Sequence, residues 1–207
     1  MNKLVKDALT LTCITLIAGL ALGFVYEITK GPIAQAQEAA LQNAYQTVFA
    51  DASSFQDMTD FDSALATQIV LAAGYADDTI DNCVEALDES GNLLGYVITV
   101  TSSAGYGGDI TFSVGITNEG MINGYSITSI SETAGLGMKA RDVGEGTFSS
   151  QFENRAAEIF SVTKSKASLS SEIDAISAAT ITSKAVTNGV NACVTYFNTL
   201  VGGASNE

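Results

Sequence analysis

The sequence predicts an α+β protein in which one N-terminal transmembrane helix is followed by a domain with a twisted antiparallel sheet packed against helices. Three observations lead to this prediction: an uncharged apolar run near the N-terminus, two pairs of strand-like segments in the middle, and an amphipathic helical stripe near the C-terminus. With 207 residues and 46% apolar content, the chain can build one compact domain in addition to an anchor.

The apolar run Ala8–Tyr26 is predicted to be a transmembrane anchor. As a helix its 19 residues extend over about 28 Å, close to the ~30 Å hydrocarbon core of a bilayer. Lys3 and Lys6 precede it, so we expect a cytoplasmic N-terminus and an extracytoplasmic domain at the cell membrane. A cleaved signal peptide is the alternative, but the small residues Ala34–Ala36 lie well beyond the apolar run, which favours a retained anchor.

Behind the anchor, helix formers predominate from Ala34 to Phe49, and residues 51–79, rich in Asp, Ser and Thr, are interpreted as loops. The chain is accordingly divided into 1–30, the cytoplasmic N-terminus and anchor; 31–80, a helical and loop connection; and 81–207, the sheet domain.

Two hairpins are predicted in the sheet domain. Cys83–Asp88 and Leu94–Thr101 flank a turn with the sequence Glu-Ser-Gly-Asn, and Ile110–Thr117 and Met121–Ser129 flank Asn-Glu-Gly. Large apolar residues alternate with small or polar ones in the third of these strands, which predicts one buried sheet face.

Weaker signals predict the remaining elements. Phe160–Thr163 and Glu172–Ile176 are interpreted as further strands. Apolar residues at helical spacing predict a helix over Ile181–Leu200, ended by Gly202 and Gly203.

Composition excludes several functions. The chain has no His and only three Cys, without CxxC spacing, which argues against a structural zinc site, covalent haem, an iron–sulfur cluster and a Ser–His or Cys–His hydrolase. Any redox cofactor is therefore expected to be organic. Cys83 and Cys193 could pair in an oxidising compartment or stay as buried thiols.

The charge is strongly acidic. The formal net charge is −14, and no Lys or Arg occurs between Lys30 and Lys139. Nucleic-acid binding needs clustered basic residues, so we expect none. The acidity is interpreted as a solvated, soluble surface.

The most informative segment is Asp174–Ser183. It places hydroxyls at Ser177, Thr180, Thr182 and Ser183, around Ala178 and Ala179, directly before or within the start of a predicted helix. A helix N-terminus offers free amides and partial positive charge to a phosphate. Because Ser and Thr also cap helices, a plain cap is the alternative.

This segment resembles the flavinylation motif Asp-x-x-[Ser/Thr]-Gly-Ala-Thr-x-[Ser/Thr] of FMN-binding domains in Rnf and Nqr electron-transport complexes. The resemblance implies that Thr180 carries FMN through a phosphodiester installed by a flavin transferase. Ala178 stands where the family has glycine, and its methyl group matters if the backbone there adopts positive φ.

A second pair of segments, Gly105–Ile110 and Glu132–Gly137, is similar to blocks of the G subunit of Rnf complexes, with Ala134 in place of proline. The resemblance extends from Lys3 to Phe197 and implies that 81–207 is an FMN-binding domain. It implies a cofactor-binding set, without catalytic or metal-binding residues: Tyr106, Gly107, Glu132, Thr133, Gly135, Leu136, Gly137, Asp174, Ser177, Ala178, Ala179, Thr180, Ile181, Thr182 and Ser183. Lys184 could add charge there or be an ordinary solvated lysine.

The resemblance implies a membrane-anchored flavoprotein subunit of an ion-translocating ferredoxin:NAD⁺ oxidoreductase. Such a protein relays electrons to and from other subunits of a membrane redox complex and has no independent catalysis. The alternatives are the C subunit of a Na⁺-translocating NADH:quinone reductase, a free-standing extracytoplasmic FMN module, and a non-redox tethered binding protein in which Thr180 only caps a helix.

Overall fold

Helix α1 of the computed structural model spans Lys3–Val48 and contains both the predicted anchor and the helix expected behind it. The structure describes residues 3–204, with side chains for 3–202. The chain divides into two compact units between Ala40 and Leu41. In the first unit the residues of the apolar run are exposed, and α1 is the one described helix that is long and apolar enough to cross a membrane.

The second unit is built on a six-stranded antiparallel sheet in which the strands follow chain order. Its strands are β1 (Ser54–Asp57), β2 (Asp78–Leu87), β3 (Leu93–Ser102), β4 (Ile110–Thr117), β5 (Met121–Ser129) and β6 (Arg155–Ala156). Both predicted hairpins are confirmed, β2–β3 and β4–β5. The first strand of the first hairpin begins at Asp78, earlier than predicted.

The interpretation of residues 51–79 as loops is wrong in three places, one of which is the start of β2 at Asp78 and Thr79. The same stretch also contains strand β1 and helix α2 (Ser63–Ala72). Asp62 caps α2, since its Oδ1 accepts hydrogen bonds from the amides of Ala64 (2.8 Å) and Leu65 (3.2 Å). Ala66 and Val70, four residues apart, are buried. An N-cap followed by this spacing was a helix signal present in the sequence.

Both faces of the sheet are buried, whereas the alternation in β4 predicted only one. The larger core lies on the face of the sheet that is covered by α2 and the C-terminal helix. On the opposite face the end of α1, with Tyr45 and Val48, packs on Val84 and Val97. Gly115 marks this packing: a Cβ there would lie 2.8 Å from the Cβ of Val48.

Helix α3 (Thr180–Ala204) closes the domain and continues through Gly202 and Gly203, so the predicted stop at these glycines is wrong. The two further strands are confirmed as β7 (Ser161–Thr163) and β8 (Glu172–Asp174), which pair in parallel as a separate small sheet. Cys83 and Cys193 are buried free thiols, and burial raises the pKa of Cys83 to about 12.

Candidate functional site

The turn before α3 is closed by the side chain of Ser183. Its Oγ accepts a hydrogen bond from the amide of Ile176 (2.9 Å) and donates one to the carbonyl of Ala179 (2.9 Å). Ser183 is completely buried. Of the predicted site residues, Ser183 therefore has a structural role, because it ties the turn to the first turn of the helix.

Ala178 lies at the tip of this turn with a φ of +61°. The methyl group of Ala178 was expected to matter only at positive φ, and the backbone does adopt positive φ here. An alanine therefore occupies the left-handed region that glycine enters without penalty. For a residue with a Cβ the conformation costs about 1 kcal/mol. The segment thus holds local strain directly before Thr180.

The backbone amides of the first residues of α3 have no hydrogen-bond acceptor within the helix. Helical hydrogen bonding begins at Ser183, whose amide donates to the carbonyl of Ala179, four residues earlier (3.0 Å). The amides of Thr180, Ile181 and Thr182 precede it and have no intrahelical acceptor. Together with the helix dipole they form an electropositive end, beside the half-buried side chain of Thr180.

A second wall is organised by the carboxylate of Glu132. Its Oε1 accepts hydrogen bonds from the amides of Tyr106 (2.7 Å) and Gly107 (3.1 Å), joining two loops that follow different strands. Gly137 lies against both this carboxylate and helix α3. A Cβ at Gly137 would lie 2.6 Å from Glu132 Oε2 and 2.6 Å from Thr182 Oγ1, so only glycine fits.

These walls enclose an open pocket of about 580 Å³, within the ordinary range for small-molecule sites. It is lined by residues from all three predicted segments: Tyr106, Glu132, Thr133, Leu136, Gly137, Ala178, Ala179, Thr180, Ile181 and Thr182. All ten belong to the predicted set. Leu136, Ile181 and Tyr106 expose apolar surface at the pocket, while the helix amides offer donors at one end. This combination fits a planar aromatic ring that carries a phosphate.

The five other predicted residues do not line the pocket. Ser183 closes the turn below it, and Gly107 contributes its amide to Glu132. Gly135 forms a turn with a φ of +76° and open space around it. Asp174 and Ser177 face a neighbouring cavity of about 480 Å³. Lys184, considered as an added charge, is exposed and lines neither space.

Asp174 is held by contacts that sequence reasoning missed. Its carboxylate accepts a hydrogen bond from the amide of Ala167 (2.5 Å), and its backbone is bound in both directions by the side chain of Gln151. Gln151 is distant in sequence, and no local pattern marks it. Within the described part of the chain, no group of three or more His, Cys, Asp or Glu residues could hold a metal ion.

Comparisons with known proteins match both parts of the chain. The FMN-binding domain family matches residues 105–195, and the RnfG N-terminal region family matches residues 1–48. The G subunit of the proton-translocating ferredoxin:NAD(+) oxidoreductase complex of Clostridium ljungdahlii is 33% identical over 196 residues, which cover 94% of this chain and 91% of that protein. The Na(+)-translocating counterpart of Acetobacterium woodii is 31% identical over 200 residues, covering 94% and 92%.

A solved structure has a related fold. The crystal structure of Shewanella oneidensis NqrC aligns with a TM-score of 0.51 over 79% of this chain and 88% of that one. The sequence identity is 16%, so the likeness concerns the fold alone.

Proposed function

Because the chain belongs to the family of Rnf complex G subunits, we propose that it is the membrane-anchored flavoprotein subunit of an ion-translocating ferredoxin:NAD⁺ oxidoreductase. The observation that supports this most directly is the pocket, where three segments distant in sequence meet at the start of α3. The pocket lies in the part of the chain that matches the FMN-binding domain. The chain is also a single-pass membrane protein, with α1 as its anchor.

The proposed cofactor is FMN, joined to Thr180 by a phosphodiester. In this linkage the Thr180 hydroxyl loses its proton, its Oγ forms a new bond to phosphorus, and the leaving group of an activated flavin donor departs. The open amides at the start of α3 stabilise the charge that remains on the phosphate. A flavin transferase is the expected partner for this step.

The other lining residues hold and orient the flavin. Leu136, Ile181 and Tyr106 offer apolar surface to the ring system, and the missing side chain at Gly137 lets Glu132 and Thr182 lie side by side in the wall. When bound, FMN supplies the reversible electron chemistry, while the protein provides placement and an electrostatic setting. A covalent link keeps the cofactor in an exposed pocket from which a free flavin would diffuse away.

The proposed topology places the N-terminus in the cytoplasm and the flavin domain outside, since Lys3 and Lys6 precede the apolar run. The partners are the other redox subunits of the complex. The two relatives differ in the translocated ion, so family membership leaves the ion open. A single cysteine placed in the exposed Glu89–Asn92 turn is expected to react with an impermeant reagent in intact cells; reaction only after lysis would contradict this topology.

The covalent link is tested by co-expressing the chain with a flavin transferase and measuring intact mass after denaturation. The wild type is expected to gain one FMN less one water. Thr180→Val is expected to gain nothing yet stay folded, because a lost cap-type hydroxyl costs about 0.5–2 kcal/mol. Thr182→Val provides the matched comparison, since this buried neighbour is the nearest alternative hydroxyl. Flavin on Thr180→Val, or its loss only from Thr182→Val, would show that the assignment is wrong.

A further inference from the structure

We propose that Glu132 sets the reduction potential of the flavin in this pocket, by holding a negative charge in the pocket wall. The inference rests on the proposed function, since it needs a flavin at the site. Beyond that function, Glu132 has an electrostatic effect on the reduction potential, which can be measured separately from flavin binding.

The carboxylate of Glu132 is fixed in place. Its Oε1 receives the amides of Tyr106 and Gly107 at 2.7 and 3.1 Å, and the residue is 8% exposed. Two glycines leave it room: a Cβ at Gly105 would lie 3.0 Å from Oε1, and one at Gly137 would lie 2.6 Å from Oε2. The carboxylate is therefore held by two amides in a buried position at the pocket wall.

The Glu132 carboxylate has no basic side chain beside it in the pocket lining. Among the ten described residues that line the pocket, Glu132 is the only one with a carboxyl group, and none is Lys or Arg. It forms no ion pair with any residue in the described part of the chain. Lys139 lines the neighbouring cavity, and Lys184 is exposed outside both. The negative charge at the wall therefore has no cation there to balance it.

A carboxylate in the pocket wall would act on a bound flavin through electrostatic repulsion. Two-electron reduction of a flavin takes up two electrons and one or two protons; where only one proton enters, the ring gains a negative charge. A fixed carboxylate in the wall of the pocket that would hold the ring would disfavour that charge, and the repulsion is stronger in a half-buried pocket than in water. Glu132 should therefore lower the reduction potential.

The test measures the midpoint potential of the full-length, flavin-loaded chain by mediated spectroelectrochemistry. Glu132→Gln removes the charge but keeps an amide oxygen for the Tyr106 and Gly107 amides. We expect at least a tenfold rise in the ratio of reduced to oxidised flavin at a fixed potential, or about +30 mV for a two-electron couple. Glu119→Gln, in the exposed β4–β5 turn, is the matched control and should leave the potential unchanged.

A flavin-loaded Glu132→Gln variant with the wild-type potential would overturn the proposal, because a purely structural carboxylate predicts that result. If this variant does not fold, Ile181→Lys gives a second test. Ile181 is 53% exposed at the pocket, so a cation can be added there without disturbing the core. The potential should again rise, and an unchanged value would also overturn the proposal. Wild-type protein that takes up no flavin would instead contradict the proposed function.

Discussion

The first turn of helix α3 and the body of the same helix are built in opposite ways. In the first turn, Thr180–Ser183, backbone amides are open, Ile181 is half exposed, and the strained Ala178 stands just before it. In the body, Val186, Val190 and Val194 are completely buried, and the buried polar side chains, Thr187 and Asn191, are hydrogen-bonded. Thr187 donates to the carbonyl of Ser183, and Asn191 binds both backbone groups of Phe160.

This contrast shows how one helix can serve both packing and chemistry. The body binds the helix to the sheet through apolar contacts and closed hydrogen bonds, which makes its position rigid. The first turn can therefore keep unpaired amides and the half-buried hydroxyl of Thr180, with Ala178 at positive φ before it, because the body of the helix fixes its position. Three predictions test this division.

The largest effect is expected for Asn191→Ala in the body. The side chain accepts from the Phe160 amide and donates to the Phe160 carbonyl, both at 2.8 Å, in a fully buried site. Its removal leaves two buried backbone groups without partners, so the free energy of unfolding should fall by about 2–4 kcal/mol. Urea denaturation of the detergent-solubilised chain measures this.

The control for this change is Thr199→Ala, at an exposed position on the same helix, which should alter the free energy by less than about 0.5 kcal/mol. While folded, Asn191→Ala should still accept flavin at Thr180. Equal losses for the two variants would mean that the body does not fix the helix as described.

The second prediction concerns Asp78, a buried polar residue near the body that breaks the rule of closed hydrogen bonds. Its Oδ1 and the Oγ of Ser102 are buried without hydrogen-bond partners among the described residues. Burial raises the pKa of Asp78 from 3.8 to about 6; the nearby Ser102 hydroxyl opposes this and the charge of Asp77 adds to it. The protonated form is therefore favoured in the folded state.

It follows that the stabilisation from this group is complete below pH 3.8 and is lost as the pH rises from there to about 6. Asp78→Asn stays neutral, so above pH 6 it should be more stable than the wild type by about 1–3 kcal/mol. Denaturation curves at pH 4.5 and pH 7.5 compare the two proteins. A difference that does not shrink at the lower pH would exclude titration of Asp78 as its cause.

The smallest effect is expected for Ala178→Gly in the turn. Glycine relieves the positive φ, offset in part by its greater freedom in the unfolded chain, which leaves a gain of up to about 0.5 kcal/mol. Ala179→Gly is the matched control, because this buried neighbour has no positive φ and should lose stability. Thermal unfolding of both variants measures the difference, and a loss for Ala178→Gly would show that no strain is stored there.

Much of the fold could be predicted because its signals are local. The bounds of β4 and β5 were correct, since alternation and a glycine-containing turn specify both strands and register. Helix α2 was missed even though Asp62 signals its start, because Asp, Ser and Thr, which are typical of loops, are frequent on both sides of it. The second buried face was missed for another reason: it depends on the end of α1, which is remote in sequence from β4.

The sequence by itself determined the anchor, the two hairpins, the helix that follows Thr180, and the segments whose side chains meet at the pocket. Those features follow from periodicity, turn residues and motif spacing, which act over a few residues. Only the tertiary structure decided which side of each segment faces the pocket. It turned Asp174 and Ser177 toward a neighbouring cavity, used Ser183 to close a turn, and confined Glu132 between the Tyr106–Gly107 amides and Gly137. Such contacts join residues far apart in the chain, so their geometry depends on how the sheet and α3 pack together.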